Sequence, residues 1–159
     1  MKKLALITGA TSGIGKAAAL KLASLDYNLI ITGRRKDRLE SLASTLKTQF
    51  NIEVKALTFD IRVNSETDRA VGSLTGEWQN IDVLLNNAGL AAGADPIQEG
   101  LWSDWEQMID TNIKGLLYIS KLIIPFMIER KKGHIINISS IAGKEVMPTE
   151  MFTVQPSMR

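Results

Sequence analysis

Three glycines, Gly9, Gly13 and Gly15, lie in the stretch LALITGATSGIGKAAALKLA, between an aliphatic run and a helix-forming one. Their spacing suits binding of a phosphate. Gly9 permits a sharp exit from a strand. Gly13 lets the backbone approach a pyrophosphate at the N-terminus of the helix that Ile14 opens, where unpaired amides and the helix dipole favour an anion. Thr11 and Ser12 add hydroxyl donors, and Gly15 with the small residues Ala17 to Ala19 allows the helix to pack closely on a sheet. The same glycines would also serve a tight strand-to-helix turn with no ligand. Their place in the first strand–turn–helix unit is the context that the phosphate reading requires.

Alternating elements are expected to position that turn. Leu4–Thr8, Asn28–Thr32, Glu53–Thr58, Asp82–Leu85 and His134–Ile138 read as strands, apolar on both faces as in a sheet covered by helices on each side. Helical periodicity runs from Ile14 to Leu25, with Ala18, Leu22 and Leu25 on one face. It recurs from Lys36 to Thr48, with Leu39, Leu42 and Leu46, and more weakly from Ser65 to Leu74. A long helix is predicted from Ser103, where SDWE forms a capping box with Glu106, towards Arg130. Pro125 is expected to kink it, and Lys131, Lys132 and Gly133 to end it. The pattern predicts one α/β domain with a doubly wound parallel sheet, helices on both faces and right-handed crossovers.

Composition agrees and excludes other classes. At 159 residues and 45% hydrophobic content the chain has material for one real core. A net charge of +2 with scattered basic pairs gives no footprint for nucleic acid. The absence of cysteine and the single histidine, His134, argue against a metal site and suit a reducing cytoplasm. MKKLALITGA has an apolar run too short for a signal peptide, so a first buried strand is expected there. LLYISKLIIPFMI is interrupted by Lys121 and Pro125, so no membrane span is expected.

The pattern G-x-x-x-G-x-G resembles that of the short-chain dehydrogenase/reductase family, and the resemblance extends over residues 3 to 150. It implies a Rossmann-type dinucleotide-binding domain and specific roles. Asp60, followed by Ile61 after the third strand, matches the acidic residue that contacts the adenine. The segment NNAG matches the part of the family pattern that lines the cofactor and stabilises the sheet, with Asn87, Ala88 and Gly89 at the cofactor. Asn112 matches the catalytic-site asparagine, and GHIINISSIAG the strand that delivers the catalytic serine, Ser140. Taken singly, the asparagines also fit turn or helix positions and the serines a strand end. The resemblance further implies a small carbonyl or alcohol substrate, like a 3-hydroxy acid, and homo-oligomers among full-length relatives.

The cofactor expected is NADP(H) rather than NAD(H). A carboxylate at the end of the second strand would bind ribose hydroxyls and exclude a phosphate. ITGRRKDR instead has Gly33 there, followed by Arg34 and Arg35, whose guanidiniums suit a 2′-phosphate. They also fit the solvated first turn of a helix, although cations at a helix N-terminus oppose its dipole.

The pattern departs from the family after residue 150. The resemblance implies a tyrosine thirteen positions beyond Ser140 and a lysine four further on, and Thr153 and Ser157 stand there. A tyrosine titrates near 10 and needs a cation beside it to act as acid and base near neutrality. The continuation Asn-Val-Tyr-Cys-Ala-Thr-Lys-His-Ala, with suitable codons and one nucleotide removed, spells Met-Phe-Thr-Val-Gln-Pro-Ser-Met-Arg, which is residues 151–159. The expectation is therefore a domain over 1–150 followed by an aberrant tail over 151–159, arising from a shifted reading frame or an error in reading it. Without the family's C-terminal helices and strands, an exposed edge strand, an apolar helix face and poor solubility are expected.

Overall fold

The computed structural model describes residues 2–93 and 95–140. The expected tail over 151–159, with Thr153 and Ser157, lies outside the described residues. Strands β1 (Leu4–Ile7), β2 (Asn28–Gly33), β3 (Val54–Thr58), β4 (Ile81–Asn86) and β5 (His134–Asn137) form one parallel sheet in the order β3-β2-β1-β4-β5. Between them run α1 (Gly13–Ser24), α2 (Lys36–Phe50), α3 (Asn64–Gly72), α4 (Trp102–Met108) and α5 (Leu116–Glu129).

Alternate residues of each strand point to opposite faces and build two cores. Ala5, Ile7, Leu29 and Ile31 pack with Ala19, Ala23, Leu39 and Leu46 of α1 and α2. Leu4, Leu6, Ile30 and Leu84 pack with Val71, Ile119, Ile123 and Met127 of α3 and α5. The chain winds outward from β1 to β3, then returns to the other side of β1 with β4 and β5. That reversal leaves a crevice at the carboxyl ends of β1 and β4, where ligands bind in open α/β sheets.

Several helical details differ from the sequence expectations. The fully buried stripe of α1 is Gly15, Ala19 and Ala23; of the expected face Ala18 and Leu22 pack, partly buried, against the same core, and Leu25 is 55% exposed. Small residues at i, i+4 and i+8 bring the axis close to the sheet, and the larger leucines are displaced to its flanks. The capping box at Ser103 does not form. Leu101 is the N-cap of α4, its carbonyl accepts from the Asp104 and Trp105 amides, and Ser103 already lies inside the first turn.

Pro125 lies inside α5, and the helical run from Trp102 to Glu129 is continuous. Its departure from α-helical geometry lies upstream, in a π-helical segment at Ile109–Gly115. That run is long and apolar enough to cross a membrane by length and composition alone. Its Ile119, Ile123 and Met127 are nevertheless buried against the sheet, the pattern of a core helix. At its end Lys131 takes the left-handed conformation (φ 52°), and the Lys132 amide donates to the Met127 carbonyl. Gly133 lies against the Met127 side chain with no room for a Cβ.

Among the described residues β5 is an edge, paired with β4 alone, and its four residues are exposed. Ile109, Ile113 and Leu117, one helical turn apart, are also exposed.

Candidate dinucleotide-binding site

The crevice is a cleft of about 940 Å³. Every site residue expected from the sequence lines it except Gly15, which lies behind the turn. From one end to the other it meets Asp60 and Ile61 after β3, Arg34 and Arg35 after β2, and the glycine turn after β1. Asn87, Ala88 and Gly89 follow after β4, with Asn112 in the π segment and Ser140 after β5.

The turn has the geometry of an anion cradle. Gly9 (φ 67°) and Gly13 (φ 53°) occupy backbone conformations that disfavour side chains. A Cβ on Gly13 would point into open space, whereas one on Gly9 would lie 2.9 Å from the Ala88 Cα. At Gly15 a Cβ would strike the Asn87 side chain and the Gly9 carbonyl. Helix α1 has no side-chain cap and no acidic residue in its first turn, so nothing of its own offsets the dipole at the cleft.

Asn87 locks the turn to β4. Its Nδ2 donates to the Thr8 and Gly9 carbonyls at 2.9 and 3.1 Å. Thr8, buried at the end of β1, accepts from the Asn87 and Ala88 amides through Oγ1, both at 2.9 Å. Sequence reading missed Thr8, since nothing separates it from any β-branched residue that ends a strand. Asn86 donates to Ser120 Oγ and Asn137 Oδ1, both at 2.9 Å, tying α5 and β5 to β4.

The two arginines diverge. Arg35 Nη2 donates to Thr11 Oγ1 at 2.7 Å and Ser12 Oγ at 3.0 Å, so these hydroxyls act as acceptors here. Arg34 Nη1 lies 3.8 Å from Asp60 Oδ2. A Cβ at Gly33 would lie 2.9 Å from Thr11 Cγ2, so a side chain there would displace that of Thr11.

Asp60 is held by Arg62, a residue that sequence reading did not select. The hydrogen bond from the Arg62 guanidinium is the main reason the Asp60 carboxyl sits below the usual carboxylate range, against the opposing effect of burial.

The Asn112 side-chain amide is committed to Leu90: Oδ1 accepts from its N–H at 2.9 Å and Nδ2 donates to its carbonyl at 2.8 Å. Beside it Thr111 is 7% exposed, and its Oγ1 has no hydrogen-bond partner among the described residues. Ser140 lines the end of the cleft at the exit of β5. The chain has two tyrosines, Tyr27 and Tyr118, and neither lines the cleft. The Tyr118 hydroxyl donates to the Asp68 carboxylate, which raises its pKa.

A doubly wound parallel sheet with a glycine turn and an uncapped helix N-terminus at its switch point, and two arginines after the neighbouring strand, defines a dinucleotide-binding α/β protein. Residues 3–152 match the family described as short chain dehydrogenase, and the chain belongs to that family. It is 50% identical over 139 residues to a probable NADP-dependent dehydrogenase of Haemophilus influenzae, covering 87% of this chain and 54% of that protein. It is 44% identical over 140 residues to the NADP-dependent 3-hydroxy acid dehydrogenase YdfG of Escherichia coli K12, covering 88% and 55%.

Among solved structures, serine dehydrogenase from Escherichia coli superposes with a TM-score of 0.83 at 41% identity, over 92% of this chain and 66% of that one. The closed form of serine dehydrogenase complexed with NADP+ gives 0.85 at 40% identity, over 92% and 57%. The chain spans about half the length of the curated relatives it matches.

Proposed function

We propose that the cleft binds NADP(H) and that the chain derives from an oxidoreductase acting on a small 3-hydroxy-acid-like substrate. The α1 turn would hold the pyrophosphate, Arg34 and Arg35 the 2′-phosphate, and Asp60 and Ile61 would border the adenine. Asn87, Ala88 and Gly89 would line the path to the nicotinamide, which when bound exchanges a hydride between a carbonyl and an alcohol. Ser140 would orient the substrate oxygen, and Asn112 would position the Leu90 backbone beside it. The observation that carries this reading is the uncapped, acid-free N-terminus of α1 with Arg35 hydrogen-bonded beside it.

In the 159-residue chain we propose binding without turnover. No tyrosine borders the cleft. Thr153 and Ser157 occupy the places of the expected phenol and ammonium. Loss of general acid–base catalysis alone typically lowers a rate by about 10²–10⁴. The same observation favours a second reading, a non-catalytic nucleotide-binding module. NADPH titration with a parallel assay of carbonyl reduction tests both: micromolar binding without reduction supports the proposal, and measurable reduction refutes the loss of chemistry. A folded protein that binds neither coenzyme would refute the cofactor assignment.

A further inference from the structure

Two residues that line the cleft carry opposite charges close to where a 2′-phosphate would lie. Arg34, proposed to hold that phosphate, has its Nη1 3.8 Å from Asp60 Oδ2, beyond hydrogen-bond reach. A carboxylate so placed would repel a phosphate and compete with it for the guanidinium. The Arg34 side chain is 56% exposed and stands apart from Asp60, and the reason lies in a third residue.

Arg62 engages the carboxylate from the other side. Its Nε donates to Asp60 Oδ1 at 3.0 Å and is shared with Oδ2 at 3.1 Å. Its Nη2 donates to Oδ2 at 2.6 Å and its backbone N–H to Oδ1 at 3.0 Å. These three N–H groups leave about one of the four lone-pair sites of the carboxylate open to a donor in the cleft. Arg62 is the main cause of the lowered Asp60 pKa, and Arg34 contributes least to it.

The pair is fixed to two helices. Arg62 Nη1 donates to Gln107 Oε1 of α4 at 3.4 Å, and Glu66 Oε2 of α3 accepts from the Asp60 amide at 2.8 Å. Asp110, which also acts on Arg62, is itself paired with Lys114 at 2.8 Å. Arg62 is not among the residues that line the cleft, so it acts on a ligand there through Asp60.

We infer that Arg62 is a positioning residue that sets the coenzyme preference: by engaging Asp60 it leaves Arg34 free for the 2′-phosphate. The inference rests on the dinucleotide-phosphate reading of the cleft and adds a specificity determinant behind its wall. Arg34, Asp60 and Arg62 together carry one net positive charge, whereas Arg34 and Asp60 without Arg62 sum to zero. A 2′-phosphate senses that difference, and NADH has no phosphate there.

Equilibrium titration with NADPH and NADH of the unaltered chain, of Arg62→Ala and of Arg62→Ala combined with Asp60→Asn tests this, with circular dichroism to establish folding. The unaltered chain is expected to prefer NADPH, Arg62→Ala to lower that preference by about tenfold, and the added Asp60→Asn to restore it. Contacts to adenine are common to both coenzymes and cancel in the ratio. Arg62→Gln, which loses the charge and keeps a donor, is read in the same way where Arg62→Ala does not fold. An unchanged ratio in the folded single variant, with both coenzymes weakened equally or not at all, overturns the inference alone. A lowered ratio that Asp60→Asn does not restore also overturns it, because Arg62 would then act on the phosphate directly. Absence of any NADPH preference in the unaltered chain overturns the cofactor reading and the inference with it.

Discussion

Asn112 and Leu90 form a closed pair: the side-chain amide of one uses its acceptor and its donor on the N–H and C=O of the other, at 2.9 and 2.8 Å. The π-helical segment at Ile109–Gly115 presents Asn112 to the loop after β4, and Gly115 at its end packs on Ile61. An asparagine placed by resemblance as catalytic is, in its side chain, a brace for the cleft wall. Asn112→Ala should destabilise the fold by about 1–2 kcal/mol and speed hydrogen exchange at the Leu90 amide. Unchanged exchange there would show that the brace is not formed.

Arg35 connects the end of β2 to the glycine turn through Thr11 and Ser12. Charge-assisted bonds to a phosphate contribute about 1.5–3 kcal/mol each, so Arg35→Ala should weaken NADPH binding by about 10- to 100-fold. NADH affinity should change little. Parallel titrations measure the ratio, and equal losses for both coenzymes would place Arg35 outside the 2′-phosphate site.

Gly13 and Gly15 should separate binding from stability. A Cβ at Gly15 strikes the Asn87 side chain and the Gly9 carbonyl, so Gly15→Ala should cost on the order of 2 kcal/mol in a denaturant titration. Gly13 has open space but a φ of 53°, so Gly13→Ala should cost only about 1 kcal/mol. Its methyl group enters the phosphate cradle, and its main effect should be on NADPH affinity.

Acid should weaken the fold through two aspartates. Burial pushes the Asp82 carboxyl up, but hydrogen bonds from Lys132, the Leu4 amide and Arg130 outweigh it, leaving it below the usual carboxylate range. Asp60 is likewise lowered, chiefly by Arg62. An unfolded aspartate titrates near 3.9. The stabilisation from these groups is therefore complete above that pH and is lost as pH falls through their lower folded values. The urea midpoint should be flat from pH 7 to 5 and fall below about pH 4, less steeply in Asp82→Asn. An equally steep fall in that variant would assign the acid sensitivity elsewhere.

Strands and the phosphate turn were legible because their signals are local. Aliphatic runs bounded by turn residues marked all five strands to within a residue or two, and the sharp exit expected at Gly9 and the close backbone approach expected at Gly13 fall where the structure has positive φ. The buried face of α1 was legible only in part: Ala18 and Leu22 do pack against the core, but at its margin. Periodicity marks the larger apolar residues, whereas the distance to the sheet selected Gly15, Ala19 and Ala23. The π segment was hidden because Ile109 to Gly115 looks like ordinary helix, and its placement against Ile61 depends on tertiary packing. Arg62 was missed for a similar reason: its grip on Asp60 depends on the backbone turning between them, with the Val63 amide donating to the Asp60 carbonyl.

The most direct test is fluorescence titration of the purified 159-residue chain with NADPH, alongside circular dichroism and an assay of carbonyl reduction. A folded α/β spectrum, saturable micromolar binding that is stronger for NADPH than for NADH, and no reduction are expected. A folded chain on which neither coenzyme saturates would contradict the NADP(H) reading of the cleft.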